Sequence, residues 1–310
     1  MPHSIIVGTR ASALALAQTE IVLGSLRQAH PDVVFELKHI HTGGDRDQKT
    51  PLALIGGQGI FVKEIENSLL AGEIDVAIHS LKDMPTVQPE GLTLGAILAR
   101  EDPRDALVSR LGETLTGLPE GARVGTGSLR REAQLRAVRP DLQILPLRGN
   151  VDTRLRKSST DDYDAVVLAT AGLIRLGFGS RISEALPLSV MLPAVGQGAI
   201  AVEVRSGDAA TLALVRELDD APTRAATDAE RSFLRELGGG CHVPIAAHGR
   251  ATGTGLWLRG LVAHPSGQPI LRGAVNGPSE RAEALGADLA RQLLVQGATE
   301  LLSAEATPRD

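Results

Sequence analysis

The chain is nearly bare of cysteine and of aromatic residues. One cysteine in 310 residues excludes an intrachain disulfide, so the fold needs no oxidising compartment. One tryptophan, one tyrosine and four phenylalanines leave the core to Leu, Val, Ile and Ala. No apolar run reaches the roughly 18 residues of a membrane-spanning helix. The opening Met1-Pro2-His3-Ser4 runs at once into a strand-like IIVGT, which predicts neither a signal peptide nor a transit peptide, and a cytoplasmic location. A net charge of −5 excludes a general nucleic-acid binder. The eight histidines include no pair at zinc-ligand spacing, and there is no cysteine cluster, so no metal site is expected.

What is present is an ordinary globular composition, 43% hydrophobic and 22% charged, long enough for two or three domains. Short β-rich runs alternate with helical patterns. IIVGT (5–9), VVFELKHIHT (33–42) and DVAIHS (75–80) read as strands around helices at about 11–29 and 61–71. AREDPRD, after Leu98, reads as a crossing between domains. A second series follows: ARVGT, a helix from Ser128, QILPL, a helix from about Asn150, then DAVVLAT (164–170). Strands alternating with helices imply parallel sheets with helices packed on them. GQGAIAVEVR (196–205) reads as a strand returning to the first lobe. From Pro222 a long helix (about 223–237), three β-like runs (245–252, 256–264, 269–276) and a last helix (about 279–296) predict a separate small α+β domain.

Several stretches carry chemistry. VGTRAS (7–12) and VGTGSL (124–129) share a strand–Gly-Thr–helix start, a geometry that is either a tight turn or a seat for carboxylate or phosphate. HSLKDMP (79–85) ends a strand with Lys82 and Asp83 adjacent; Asp83 suits a general acid/base or a counter-ion to a cation, or a plain surface ion pair. His79 reads as a hydrogen-bonding strand-end residue. Between Arg123 and Lys157 nine Arg/Lys face three acids, either a solvated helix face or a site for an anion. Ser128 is a plausible N-cap, and Arg130 and Arg131 then oppose the dipole of the helix it opens, an arrangement that a bound anion would compensate. With Arg148 and Arg154 they point to a polycarboxylate or to phosphates. TGGDRDQKTPLALIGGQGIF (42–61) has the glycine content and length of a lid and lacks a P-loop pattern. The sole Cys241, in GGGCHVP (238–244), is either a small buried hydrophobe or, brought forward by its glycines, a soft nucleophile. These residues alone leave open a two-lobed anion binder, a thiol hydrolase working through His242 or His79, and acid–base chemistry at Asp83.

The order and length of several stretches decide among them. VGTRASALALAQ (7–18), GGQGIFVKEIE (56–66), DVAIHSLKDMPT (75–86), REDPRDALVS (100–109), VGTGSLRR (124–131), RPDLQILPLRGNVDTRL (139–155), AGLIRLG (171–177), LPAVGQGAI (192–200) and ERSFLRELGGGCHVPIAA (230–247) together resemble the hydroxymethylbilane synthase, or porphobilinogen deaminase, family over nearly the whole chain. The resemblance implies an α/β fold of two periplasmic-binding-protein-like lobes with parallel-rich mixed sheets, plus a small α+β C-terminal domain. It implies an N-terminal lobe of residues 1–98 and 199–217, a central lobe of 103–194, and a C-terminal domain of 221–310. The implied reaction joins four porphobilinogen molecules head to tail into 1-hydroxymethylbilane, with release of ammonia, on a covalent dipyrromethane cofactor. The resemblance assigns Cys241 the thioether anchor and Asp83 the catalysis, including stabilisation of an azafulvene cation. Lys82, Thr126, Ser128, Arg130, Arg131 and Gly172 would hold the cofactor. Arg10, Ser12, Gln18, Phe61, Arg148, Arg154, Arg175 and Gln197 would hold substrate. No nucleic acid or membrane partner is implied, nothing demands more than a monomer, and the product would pass to uroporphyrinogen-III synthase. Gln58, Gly127, Gly238 and His242 depart from the commonest family residues, which touches lid contacts and loop stiffness but neither Asp83 nor Cys241.

Overall fold

The computed structural model describes residues 4–40, 42–43, 62–239 and 243–303. All of the expected lid (42–61) beyond Thr42 and Gly43, with Gln58 and Phe61, together with Cys241 and His242, lies outside them. The first lobe contains β1 (Ser4–Thr9), α1 (Ala13–Ala29), β2 (Val34–His39), α2 (Lys63–Leu70), β3 (Val76–Ser80), a 3-10 turn (Leu81–Asp83) and β4 (Leu92–Ile97). The second contains β5 (Asp105–Ser109), β6 (Arg123–Gly125), α3 (Leu129–Val138), β7 (Gln143–Leu145), α4 (Val151–Lys157), β8 (Ala165–Ala169), α5 (Thr170–Arg175) and β9 (Glu184–Ala185). The chain then returns through β10 (Ile200–Arg205) to α6 (Ala209–Arg216) and α7 (Ala221–Glu236). It closes with β11 (Ile245–Thr252), β12 (Gly255–Ala263), β13 (Ile270–Pro278), α8 (Ala282–Val295) and α9 (Ala298–Ser303).

The two larger sheets repeat one plan. Their orders are β2-β1-β3-β10-β4 and β7-β6-β8-β5-β9. In each, three parallel strands meet an antiparallel strand that arrives from the other series: β10 against β3, and β5 against β8. The repeated Gly-Thr stretches follow or end equivalent central strands, β1 and β6, as their shared sequence suggests. The inner strands are buried on both faces, with Val76, Ala77, Val166 and Val167 fully covered, which is why they read as continuous apolar runs, while the edge strand β2 is largely exposed.

The returning strand is shorter than its sequence suggests. It starts at Ile200, because Gly196 (φ 71°) and Gly198 (φ 93°) turn the preceding segment out of extended geometry. A Cβ at Gly198 would lie 2.4 Å from Glu101 O, so the two crossings touch backbone to backbone. Arg100 and Glu230 then tie these crossings to α7. Arg100 Nη1 donates to Glu230 Oε1 (2.5 Å), and the backbone N–H groups of Gly196 and Gly249 donate to the same buried carboxylate (both 2.7 Å). The C-terminal sheet, order β11-β12-β13, packs one face on α7 and α8 around Phe233, Leu258 and Leu289.

Helix α7 ends in a Schellman motif. Gly238 N–H donates to Arg235 O (3.0 Å) and Gly239 N–H to Leu234 O (3.1 Å), with Gly238 at φ 63°. A Cβ on Gly239 would fall 2.2 Å from the Ile245 side chain. Two glycines of the run before Cys241 therefore have structural causes: one stops the helix, and the other lets the loop's two ends pack closely.

Candidate active site

The helices of the two lobes begin where the parallel strands end, so both sets of first turns face the space between the sheets. A cavity of about 70 Å³ lies there. Its walls include Gln18 of α1, Lys82 of the 3-10 turn, Arg131 of α3, Arg154 of α4, Gly172 and Arg175 of α5, and Gln197 of the second crossing. Seven of the residues singled out from the sequence thus meet in one place, from six segments.

The electrostatics are one-sided. Burial, with repulsion from Arg131 and Arg130, pushes the Lys82 ammonium down to about 8 against the attraction of Asp83 and Asp105. Burial, then the charges of Arg131 and Arg148, pushes Arg154 down to about 10 against Asp83. Asp83 is therefore the near carboxylate for both Lys82 and Arg154. Among the described residues neither Lys82 Nζ nor the Asp83 carboxylate makes a hydrogen bond. Arg154 Nε donates to Gly149 O (2.7 Å) and Arg175 Nη2 to Gly198 O (2.6 Å), which orients both forks and leaves them further donors. Gln197 Oε1 is buried without a hydrogen-bond partner among the described residues. Cations with open donors, a buried acceptor and one open carboxylate form a seat for a molecule with several acid groups and a reacting centre beside Asp83.

The turn that carries Asp83 is held from behind. Leu81 N–H donates to Ala199 O (3.1 Å) and Met84 N–H to Leu81 O (3.1 Å), while Leu81 and Met84 are buried. Arg231 of α7 donates to Pro85 O (2.7 Å), so the helix that leads to Cys241 braces the segment next to Asp83. His79 is buried below the turn, its Nε2 3.2 Å from Glu203 Oε2, and does not line the cavity.

The remaining sequence candidates divide. Ser12 caps α1, its hydroxyl accepting from Ala15 N–H (3.3 Å), and Gln18 exchanges hydrogen bonds with Ser80. Ser128 occupies the N-cap position of α3 but makes no side-chain capping bond; its own N–H donates to Thr126 Oγ1 (3.2 Å). The expected cap is therefore absent, and the α3 N-terminus keeps uncapped N–H groups. Arg10 and Arg148 are half-buried, and Arg148 acts electrostatically on Arg154.

The anion that balances α3 is one the sequence reading missed. Asp105, at the first position of β5, is fully buried. Arg130 Nη1 donates to its Oδ2 (2.6 Å), Arg131 Nη2 to its Oδ1 (2.7 Å) and Gln197 Nε2 to its Oδ1 (3.0 Å). Burial alone would raise this carboxyl; the two guanidinium charges and the bonds from Arg130 and Gln197 hold it well below the usual carboxylate range. Arg130 also donates to Leu192 O (2.7 Å) and turns away from the cavity, whereas Arg131, also anchored on Val167 O (3.0 Å), lines it. Asp105→Asn leaves two buried cations without their counter-ion. It is expected to destabilise the fold by about 3–5 kcal/mol, lowering Tm by roughly 10 °C, with partial recovery in Asp105→Asn/Arg130→Met. Calorimetry of the three proteins checks this; an unchanged Tm for Asp105→Asn would contradict it.

Comparison with known proteins shows the family. Residues 5–213 match the family model "Porphobilinogen deaminase, dipyromethane cofactor binding domain", and residues 225–295 match "Porphobilinogen deaminase, C-terminal domain". The chain is 52% identical over 303 residues to the porphobilinogen deaminase of Desulforudis audaxviator, covering 98% of each chain. It is 51% identical over 298 residues to that of Brevibacillus brevis, covering 96% of each. With two family models spanning most of its length and full-length relatives at half identity, the chain belongs to the porphobilinogen deaminase family.

Proposed function

We propose that this chain joins four porphobilinogen molecules head to tail into linear 1-hydroxymethylbilane, releasing one ammonia per unit, on a dipyrromethane primer tethered to Cys241 by a thioether. The observation that carries this reading is the cation-lined cavity beside the open carboxylate of Asp83. Each pyrrole unit brings two carboxylates, and the cavity offers Lys82, Arg131, Arg154 and Arg175 from both lobes. Such a donor set fits the polycarboxylate dipyrromethane and leaves the Asp83 carboxylate for the reacting centre. The dipyrromethane, when bound, supplies a terminal pyrrole whose free α-carbon is the nucleophile.

The chain's own residues then have separable tasks. Arg131, Arg154, Arg175 and Lys82, together with Arg10 and Arg148, bind acetate and propionate groups and fix the orientation of each ring. Ser12, Thr126, Ser128 and the uncapped start of α3 add hydroxyl and N–H donors, Gln18 and Gln197 add amides, and Gly172 keeps the wall low. Gln197 Oε1 is an acceptor suited to a pyrrole N–H. Asp83 faces the aminomethyl group of the incoming porphobilinogen. As the C–N bond breaks, its electron pair leaves with ammonia, and the Asp83 carboxylate offsets the positive charge left on the substrate carbon. The α-proton displaced from the nucleophilic carbon by the new C–C bond would pass to Asp83 and from there to solvent. The reading includes an N-terminal lobe of residues 1–98 and 199–217, a central lobe of 103–194 and a C-terminal domain from 221. It also includes a transferase acting as a monomer in the cytoplasm, with its product consumed by uroporphyrinogen-III synthase.

Incubation with porphobilinogen tests the reading. The expected result is one ammonia released per porphobilinogen consumed and one linear tetrapyrrole per four. Saturable binding of porphobilinogen without ammonia release would reduce the protein to an anion binder.

A pH prediction follows from Lys82. Its carboxylate-holding form is the ammonium, which is lost as pH rises through about 8. kcat/KM is therefore expected to fall by about tenfold per pH unit above that point. Lys82→Arg keeps the charge at all these pH values, so it is expected to remove the decline. The same alkaline limb in Lys82→Arg would show that another group causes it.

A further inference from the structure

The outer face of the C-terminal sheet carries a second cationic site, separate from the cavity between the lobes. Along β12, Leu256, Leu258 and Val262 enter the helix-packed core, so strand alternation puts Trp257 and Arg259 on the opposite face. Arg259 pairs in register with His248 of β11 and Ala274 of β13. Arg250 and Arg272 therefore stand diagonally from it on the same face, at roughly 7–8 Å between backbones. Facing this wall is the segment that precedes the second crossing. Leu188, Ser189 and Leu192 on one side, with Arg259, Arg272 and Ala274 on the other, bound a groove of about 440 Å³. It shares no lining residue with the active-site cavity.

These arginines differ from most others in this acidic protein. Arg104 pairs with Asp102, Arg110 and Arg123 with Asp164, and Arg139 with Asp141. Among the described residues, Arg250, Arg259 and Arg272 make no ion pair. Desolvation holds Arg272 below the usual arginine range, and among the described residues no carboxylate charge opposes it. The guanidinium of Arg259 sits 4.0 Å from the ring centroid of Trp257, a stack that fixes the side chain at little further entropic cost. Two guanidinium forks without counter-ions, one of them pre-oriented, across a groove of ligand size, form a built receptor for multivalent anions.

We propose that this groove binds a small polycarboxylate, held by Arg259 and Arg272 between the C-terminal sheet and the 188–192 segment. Planar carboxylates match the guanidinium fork in two parallel hydrogen bonds, and two of them on one short skeleton span the two arginines. A bound ligand bridges two parts of the chain that also meet through the small cluster of Ala133, Leu192, Ala246, Leu261 and Ala263 and through Ala247 N–H, which donates to Pro193 O (3.2 Å). Leu192 also gives its carbonyl to Arg130, so the groove floor is continuous with the Asp105 cluster.

Trp257 is the only tryptophan in the chain and stacks on Arg259 of the groove wall, so tryptophan emission reports on that arginine. Holoenzyme titrated with citrate at constant ionic strength is expected to show a saturable change in Trp257 emission, with a midpoint in roughly the 10 μM to 1 mM range. Arg272→Gln leaves the Trp257–Arg259 stack in place. It is expected to raise that midpoint at least about tenfold and to leave porphobilinogen turnover unchanged. Arg131→Leu, which alters the active-site cavity, should leave the citrate response intact. No saturable response, an equal response to sodium chloride, or the same midpoint in Arg272→Gln overturns the site. Pyrophosphate binding about tenfold tighter than citrate overturns its assignment to carboxylates in favour of phosphates.

Discussion

Asp83→Asn is expected to keep its covalent pyrrole primer and its folded stability while losing about 10²–10⁴-fold in kcat. The asymmetry follows from where the side chain stands. The 3-10 turn that presents it is fixed by backbone bonds from Leu81 to Ala199 and from Met84 to Leu81, and by the burial of both side chains. None of those contacts involves the Asp83 carboxylate, which makes no hydrogen bond among the described residues. An amide of the same shape therefore leaves the turn in place, and the lost attraction to Lys82 and Arg154 should lower stability by only about 1 kcal/mol, too little to unfold the protein. The chemistry loses both things a carboxylate provides: a negative charge beside a carbon becoming positive, and a base for the pyrrole proton. Stopped-flow or steady-state release of ammonia measures the loss. A variant within about threefold of the parent rate would assign the charge compensation and proton removal to another group.

Cys241→Ser is expected to remove activity altogether, for a different reason. A hydroxyl is a far weaker nucleophile than a thiolate at neutral pH, so the tether does not form and each chain lacks a place to start. Its effect should therefore be visible before any substrate is added, as a missing mass and a missing pink-red colour with Ehrlich's reagent. The architecture around the loop supports this separation of roles. The Schellman turn at Gly238 and Gly239 fixes where the chain leaves α7, and Ile245 begins β11, with its N–H on Val243 O (2.8 Å). Serine changes neither anchor, so the fold and Tm of the variant should match those of the parent lacking its primer.

Much of this was legible in the residues, for reasons that differ from place to place. The buried parallel strands announce themselves as short apolar runs, and the recurrence of Val-Gly-Thr at β1 and β6 marks two equivalent lobes. Lys82, Arg131, Arg154, Arg175, Gly172, Gln18 and Gln197 converge on one cavity as the resemblance implies. Asp105 was not legible. In AREDPRDALVS it is one acid among several in a charged crossing, and its partners Arg130, Arg131 and Gln197 are 25 to 92 residues away. The signal that could have found it is the unfavourable pair of arginines in the first turn of α3, which demanded an anion. That demand was read as a call for ligand, whereas the chain itself supplies a counter-ion. Arg130 and Arg131 also differ in a way the motif hides. Successive helical residues point about 100° apart, so one reaches Leu192 and the other the cavity. The strand through Gln197 read as too long because GQGAIAVEV has the right apolar content, while the left-handed glycines that end it are visible only in the backbone.

The tethered primer is the central claim, and the intact mass of freshly purified protein tests it most directly. The account predicts a chain heavier than its polypeptide by two linked pyrrole units. That mass should be absent from Cys241→Ser, and it should rise by whole pyrrole steps on brief exposure to porphobilinogen. An active preparation at the bare polypeptide mass, with Cys241 open to alkylation, would contradict it.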